Sequence, residues 1–520
     1  MVRRAGGRAA RVAMREAPPE ADARAVWPGM PGGAYKPLSE GQCDDVFEAS
    51  LGLLADLGMG QATPEIIEAV TANGGRMDDD DRLRFPPDLV KRIVDGACKE
   101  FTLHGFDPDR GVEIGGNRVH FCTSGAAVMM LDHDTKRFRP STLADLYDVA
   151  RIVDTLDNIH VFVRTLVPRD METAREVDVN TAYAILAGTT KPLGTSMFHP
   201  DHVHECVDLF DMALGGEGEF ARRPFCIANN TFVVPPLRFA EESALSLIEQ
   251  ARRGMPINLL SAGQAGATSP AALAGSLVQA LAECLAGLTA VNLILPGHPC
   301  VMGMWPFVSD LRTGAMSGGS GEEAIINAAA AQVVNYLGLP AGVAAGMADS
   351  KLPDNQAGAE KANAITLAAN AGANMINESA GMLASIMACS LEALVIDNDM
   401  LGAINRTVRG IEITPETLST QVIADVVHGE GHFLGHSQTL SLMQTEYVYP
   451  QIGNRLSPDD WVDAGARLMD DVAHDYVTEV LNRPKPDHIT PEADARIREA
   501  FPIHLAGLAR NVKPAGSCLG

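Results

Sequence analysis

The run GMADSKLPDNQAGAEKA, residues 346–362, passes from an apolar stretch into Asp349, Ser350, Lys351 and Asp354 at the start of a helix. If that stretch is a strand of a parallel barrel, the polar groups lie at its carboxyl end, where such barrels keep their chemistry. Comparable endings recur along the chain: Arg164 and Thr165; Ser196, Phe198 and His199; Asn229, Asn230 and Phe232; Ser261 and Gln264; His298, Met304, Trp305 and Phe307; Asn377 and Glu378; Asp397, Asn398 and Asp399. The set lacks the groups that hydrolytic or phosphoryl chemistry uses. Its last member offers Asp397 and Asp399 where a sugar phosphate would need a cradle. His428, His432 and His436 recur at four-residue spacing, but Gly429, Gly431 and Gly435 argue against a helix presenting three imidazoles on one face, so no metal site is expected. Aromatic residues make up only 5% of the chain, which makes their gathering near these endings informative. Trp305 and Phe307 share one ending, Phe198 and Phe232 fall in two others, and Tyr447 and Tyr449 lie in the tail. Aromatic faces beside a carboxylate such as Glu378 suit a quaternary ammonium, held by cation–π attraction and charge. Asp354, two residues before Gln356, is expected to cap the helix that follows.

The elements that would position these groups follow a rhythm. From Asn158 onward, the short runs IHVFVRTLVP, KPLGTSMF, RPFCIANNTF, PINLLSAG, AVNLILPGHP, LPAGVAAGM, GANMINESAG and EALVIDNDM alternate with alanine- and leucine-rich helices. About eight strand–helix units within 158–410 predict an α/β fold, a (β/α)8 TIM barrel. A doubly wound sheet usually carries a glycine-rich turn after its first strand, and IHVFVRTLVPRDMET has none. Upstream, 38–157 reads as a helical preface with a β-hairpin, GVEIGGNRVHFCTSG at 111–125, turning at Gly115-Gly116-Asn117. Residues 1–37 are expected to be a disordered basic arm, and 411–520 a helical segment packing on the barrel.

Lys and Arg number 41 against 66 Asp and Glu, a net charge of −25. So acidic a surface repels phosphate backbones and anionic lipid, so neither nucleic acid nor membrane is an expected partner. The nine cysteines are scattered without a C-x-x-C pair, which predicts reduced thiols and a cytoplasmic protein. The basic N-terminus has no apolar core of a signal peptide, and no membrane-spanning run is predicted.

GMADSKLPDNQAGAEKA, GANMINESAGML just after it, GEGHFLGH in the tail and TKRFRPSTLADLYDVARIVDTLDNI at 135–159 together resemble the trimethylamine methyltransferase family, in its branch lacking pyrrolysine. The resemblance spans about 40–500. It implies a TIM barrel that takes a methyl group from a methylated amine and passes it to cobalamin on a small corrinoid protein or to tetrahydrofolate, with no tightly bound cofactor. The family archetype carries pyrrolysine inside the barrel, whereas 341–351 here contains ordinary residues only. A quaternary nitrogen leaves as a neutral amine and needs no general acid, so a quaternary donor is expected, glycine betaine first. On this basis Glu378 and Asp349 are the expected catalytic groups. Phe198, His199, Asn229, Phe232, His298, Trp305, Phe307, Arg312, Lys351 and Tyr447 are the expected substrate-binding residues. Glu378 is expected to act by charge alone, without a pH-dependent limb, and a homo-oligomer is expected. Two other classes stay open: a barrel lyase or isomerase using Asp397 or Glu378 as base, and a betaine-binding protein without turnover.

Overall fold

Eight parallel strands, each followed by a helix, close into a barrel in the computed structural model, which describes residues 24–506. The strands are β1 (Arg118–Phe121), β2 (Phe162–Val163), β3 (Leu193–Thr195), β4 (Cys226–Asn230), β5 (Ile257–Ser261), β6 (Cys300–Met304), β7 (Ala341–Ala344) and β8 (Met375–Asn377). Each pairs in parallel with the next, and β8 pairs with β1 through Met375↔His120 and Ile376↔Phe121. The ring is completed between β1 and β2 by the bridge Cys122↔Val161 and the hydrogen bond from His160 N to Phe121 O (2.8 Å).

Three helices precede the barrel: α1 (Glu40–Asp56), α2 (Pro64–Ala72) and α3 (Pro87–Gly96). The outer ring is α4 (Leu143–Asp154), α5 (Ala174–Gly188), α6 (Pro200–Leu214), α7 (Glu241–Arg252), α8 (Leu273–Ile294), α9 (Gly321–Tyr336), α10 (Asn355–Ala371) and α11 (Leu391–Arg409). Local chemistry starts several of them. Thr142 and Asp145 form a reciprocal capping box on α4, and Asp354 accepts the Ala357 amide hydrogen at the start of α10, as the sequence predicts. α8 is long and apolar enough to cross a bilayer by length and composition, yet 83% of that stretch is buried inside the protein, where it packs on α1 and α3. Small residues let the strands close tightly. A Cβ on Gly303 would lie 2.5 Å from Leu260 and 2.6 Å from the Asn258 side chain, which fill the barrel interior.

Three expectations are corrected. AVNLILPGHP, 290–299, is not a strand: its first five residues end α8 at Ile294, and β6 begins only beyond it, at Cys300. EALVIDNDM is not a strand: Ser390 caps α11, and the run is its first half. The first barrel strand instead comes from the expected hairpin, because Arg118–Phe121 pairs with β8 while Val112–Gly115 pairs antiparallel with Glu100–Leu103. That shorter hairpin plugs the amino end of the barrel, where Leu103, Val112 and Ile114 pack against Cys122, Val163, Ile227, Val301 and Met375.

The expected disordered arm lies largely outside the described residues. Its described part, 24–37, packs on the barrel: Met30–Pro31 pairs antiparallel with β1, and Tyr35 N donates to Asn370 O (2.9 Å). At the other end, α12 (Met469–Asn482) packs on α4 and α11, and α13 (Pro491–Ala500) on α6. Between α11 and α12 runs a largely exposed stretch holding the three spaced histidines. There His436 caps a short helix by accepting the Gln438 amide hydrogen.

Candidate functional site

At the carboxyl ends of the strands a cavity of about 360 Å³ opens, bordered by residues that follow β1 to β6 and β8. Three larger cavities, about 580, 470 and 460 Å³, lie elsewhere, one between α6 and α7, one among the loops that follow β5 and β6 near Ala265 and Asp310, and one at the amino end of the barrel. The first and last lie away from the strands' carboxyl ends, and the second borders the loops after two strands only, whereas the 360 Å³ cavity gathers residues from seven, as barrel chemistry requires.

Each wall of the mouth cavity is set by the strand beneath it. After β6 the chain turns through Trp305 and Phe307, whose amide hydrogens are accepted by Ser261 O and Gly263 O, both at 2.9 Å. Their rings stand 6.4 Å apart at 56°, almost fully buried, and the Trp305 indole nitrogen has no partner. Opposite, Ser124 and Gly125 follow β1. Gly125 has φ +139°, and a Cβ there would lie 2.8 Å from Met382, so the close turn admits glycine only. Asn229 at the end of β4 accepts from Asn258 Nδ2 (3.1 Å), and its carbonyl accepts from Ser196 Oγ (2.8 Å), which locks the floor. Phe198, 48% exposed, edges the opening.

Two buried ionisable groups face this space, and a third, the exposed Glu242 on the first turn of α7, edges it. Glu378 follows β8 with φ +61°, a left-handed backbone unusual for glutamate. It is 2% exposed, and its Oε2 has no hydrogen-bond partner. Burial pushes its carboxyl up to about 8. Behind it, Glu323 on the first turn of α9 is fully buried with both carboxyl oxygens unpartnered. Burial first, and then the charges of Glu378 and Asp349, push it well above the ordinary range. Arg164 follows β2, is 8% exposed, and its side chain makes no hydrogen bond or ion pair.

Of the expected site residues, the structure brings Glu378, Phe198, Asn229, Trp305 and Phe307 together. The others lie outside the cavity. Asp349 is a loop pin, accepting from Ser317 Oγ (2.8 Å), Gly318 N (2.8 Å) and Ser385 Oγ (2.6 Å), and exposed Lys351 folds back onto its carbonyl (2.6 Å). His199 caps α6. Phe232 is fully buried against Phe239 and Gly287. His298 precedes β6 and so sits at the opposite end of the barrel, bonded to Met255 O (2.8 Å). The Arg312 side chain is 88% exposed and pairs with Asp310 (2.8 Å). Tyr447 is 61% exposed in the stretch before α12.

Sequence reasoning placed Arg164, Ser196 and Asn230 at strand ends without choosing them. It missed Ser124 because β1 was read as half a hairpin. Asp397, weighed as a base, is buried in α11 and paired with Lys361 (2.6 Å).

Among the described residues one group has metal-ligand spacing: His133, Glu392 and His474. Its two imidazoles stack at 3.8 Å and 15°, and both turn Nδ1 onto one Glu392 oxygen (2.7 and 3.2 Å), so the nitrogens hydrogen-bond the carboxylate instead of enclosing an ion with it. Lys136 Nζ already lies 2.7 Å from the shared Glu392 oxygen. This is a hydrogen-bonded ion cluster holding α12 to the barrel.

A mouth cavity with aromatic walls, one buried carboxyl and one buried guanidinium, on a (β/α)8 barrel, defines an enzyme-type site for a small charged molecule. The same fold occurs in the monomethylamine methyltransferase MtmB of Methanosarcina barkeri. The likeness covers 89% of both chains with a TM-score of 0.52 at 10% identity. The chain belongs to the trimethylamine methyltransferase (MTTB) family, whose model matches residues 4–503. Trimethylamine methyltransferase MttB1 of Methanosarcina mazei is 33% identical over 460 residues, covering 87% of this chain and 91% of that one. The glycine betaine methyltransferase of Desulfitobacterium hafniense is 28% identical over 466 residues, covering 89% and 96%. Both names are those of methyltransferases acting on methylated amines.

Proposed function

We propose that this chain removes one methyl group from a quaternary amine, with glycine betaine as donor and dimethylglycine as product, and that the acceptor is the cobalt of a corrinoid protein. The observation that supports this most is the meeting, in one mouth cavity, of the Trp305 and Phe307 faces with the unpartnered carboxyl of Glu378. A fixed cation there is attracted by the ring faces and by the Glu378 carboxylate. Glu378 loses its proton to solvent as the cation binds, because an adjacent positive charge favours the ionised form. This proposal departs from the expectation of pH-independent behaviour: no proton moves in the methyl transfer, but one leaves on binding.

The walls then hold the nitrogen so that one methyl faces the opening, and they exclude water from the rest. A corrinoid in its Co(I) state supplies the nucleophile. A cavity of about 360 Å³ accepts a small amine and not a corrin ring, so a partner-borne corrinoid fits the opening edged by Phe198. Nothing in the similarities supports tetrahydrofolate as the acceptor. Trimethylamine is disfavoured because the chain contains no pyrrolysine and a tertiary amine lacks the fixed charge the site complements.

The test is incubation of the protein with glycine betaine or trimethylamine and a Co(I) corrinoid protein, following dimethylglycine, dimethylamine and methyl-cobalt absorbance. Dimethylglycine and methyl-cobalt from betaine, with trimethylamine much slower, is the expected result. Equal turnover of both donors, or none from betaine, overturns the proposal.

A further inference from the structure

Five lysine and arginine side chains are buried among the described residues, and four of them are visibly engaged. Arg84 pairs with Asp78 and Asp80, Arg151 with Asp148, and Lys361 with Asp397. Lys191 donates to Leu156 O (2.6 Å) and Ile159 O (2.5 Å). Arg164 alone has no partner for its guanidinium, and it alone borders the mouth cavity. A buried, unpaired guanidinium is costly to keep, and its fork of donors matches a carboxylate in two parallel hydrogen bonds.

We propose that Arg164 selects the substrate: its guanidinium binds the carboxylate of a zwitterionic donor whose methylated ammonium rests against Trp305, Phe307 and Glu378. This rests on the function proposed above and adds the residue that separates betaines from methylated amines with no acid group.

The surroundings of Arg164 bear this out. The carboxylate whose charge acts on it is Asp178, whose Oδ2 is taken by the Phe198 amide hydrogen (2.8 Å) and by His202 Nδ1 (2.6 Å) and whose Oδ1 has no partner. Asp178 offsets part of the guanidinium charge without using its donors, which leaves them free for a ligand. Ser196 and Asn229 on the cavity floor are spent on other protein groups, while Asn230 Oδ1 and Trp305 Nε1 stay unpartnered. Of its buried ionisable groups, the empty cavity therefore presents one guanidinium without a partner and one carboxyl with an unpartnered oxygen, with exposed Glu242 at its edge. Their complement is a molecule with one negative and one fixed positive end. Trimethylamine and choline satisfy Glu378 and leave Arg164 unpaired, and the penalty for a buried charge left without its partner falls on them.

The experiment measures binding of glycine betaine, its methyl ester and choline to the full-length protein by calorimetry, with Arg164→Gln and Arg164→Lys beside it. Ester and choline keep the quaternary nitrogen and lack the carboxylate. Wild type is expected to bind betaine roughly 100-fold more tightly than the ester. Arg164→Gln is expected to lose that preference, with choline affinity unchanged or raised, and Arg164→Lys to keep part of it. Equal binding of betaine and ester by wild type, or an Arg164→Gln protein that still prefers betaine, overturns the role of Arg164 and leaves the methyl-transfer proposal standing. Failure of wild type to bind any of the three overturns both. If Arg164→Gln does not fold, the betaine-to-ester comparison on wild type decides alone.

Discussion

The barrel holds two buried combinations of an acid and a base that differ in one respect. Lys361 and Asp397 lie between α10 and α11, almost wholly out of water and 2.6 Å apart, and Asp397 also accepts the Gly381 amide hydrogen (2.8 Å). Arg164 and Glu378 are as deeply buried, yet Arg164 has no partner and Glu378 keeps an unpartnered oxygen. The first pair is complete in the folded chain and serves the fold. The second is completed only by something brought to it, and its cost to stability is the mark of a binding site.

Breaking the satisfied pair has the largest expected effect. Lys361→Met strands Asp397 without its counterion and is expected to cost about 3–5 kcal/mol, seen as a large fall in melting temperature. Replacing Asp397 with Leu as well should return much of it. Betaine affinity of the protein that still folds should hardly change. A stable Lys361→Met protein would erase the distinction between the two pairs.

Glu378→Gln should do the reverse. Melting temperature is expected to hold or rise, while quaternary ammonium affinity falls roughly ten- to a hundredfold. The sign of the pH dependence follows from a carboxyl raised from 4.5 to about 8. Between those values the folded group keeps a proton that the unfolded one gives up, so ligand-free stability falls as pH rises across the window. Binding a fixed cation requires the carboxylate, so affinity in wild type rises with pH up to about 8 and then levels, while in Glu378→Gln it stays flat. A flat wild-type profile measured by calorimetry would remove Glu378 from the cation site. The smallest effect is expected from Trp305→Phe, which keeps an aromatic face and should weaken binding a few-fold, about 0.5–1 kcal/mol. No loss at all would mean the indole only packs.

What the sequence made legible follows the range of the interactions involved. The strand–helix rhythm from β2 to β8 is written locally, in β-branched runs and helix caps, and it reads correctly except at AVNLILPGHP, which is the end of α8 and a loop, the strand being Cys300–Met304 just after it. EALVIDNDM misleads because four apolar residues in a row suit a strand as well as the buried face of a helix. What decides is the Ser390 cap and a helical length of 19 residues. β1 misleads because its glycine turn is local while its partner lies at Met375, far along the chain. The site shows the same limit on a finer scale. Trp305 and His298 were assigned to one strand end, but His298 precedes Cys300 and Trp305 follows Met304, and the length of one strand puts them at opposite ends of the barrel. Arg164 was visible at a strand end. Its distinction is the lack of any partner, which no single sequence displays.

The pairing of β1 with β8 also orders events during synthesis. Met30–Pro31 has already been made when β1 emerges, and it can cover part of one edge of that strand. The other edge waits for Met375 and Ile376, on the order of ten to fifty seconds later at ordinary elongation rates of about 5–20 residues per second. Through that interval the nascent chain carries an open barrel with an unpaired strand edge, a template for association with other chains. A chain that stops short of residue 375 never leaves that state.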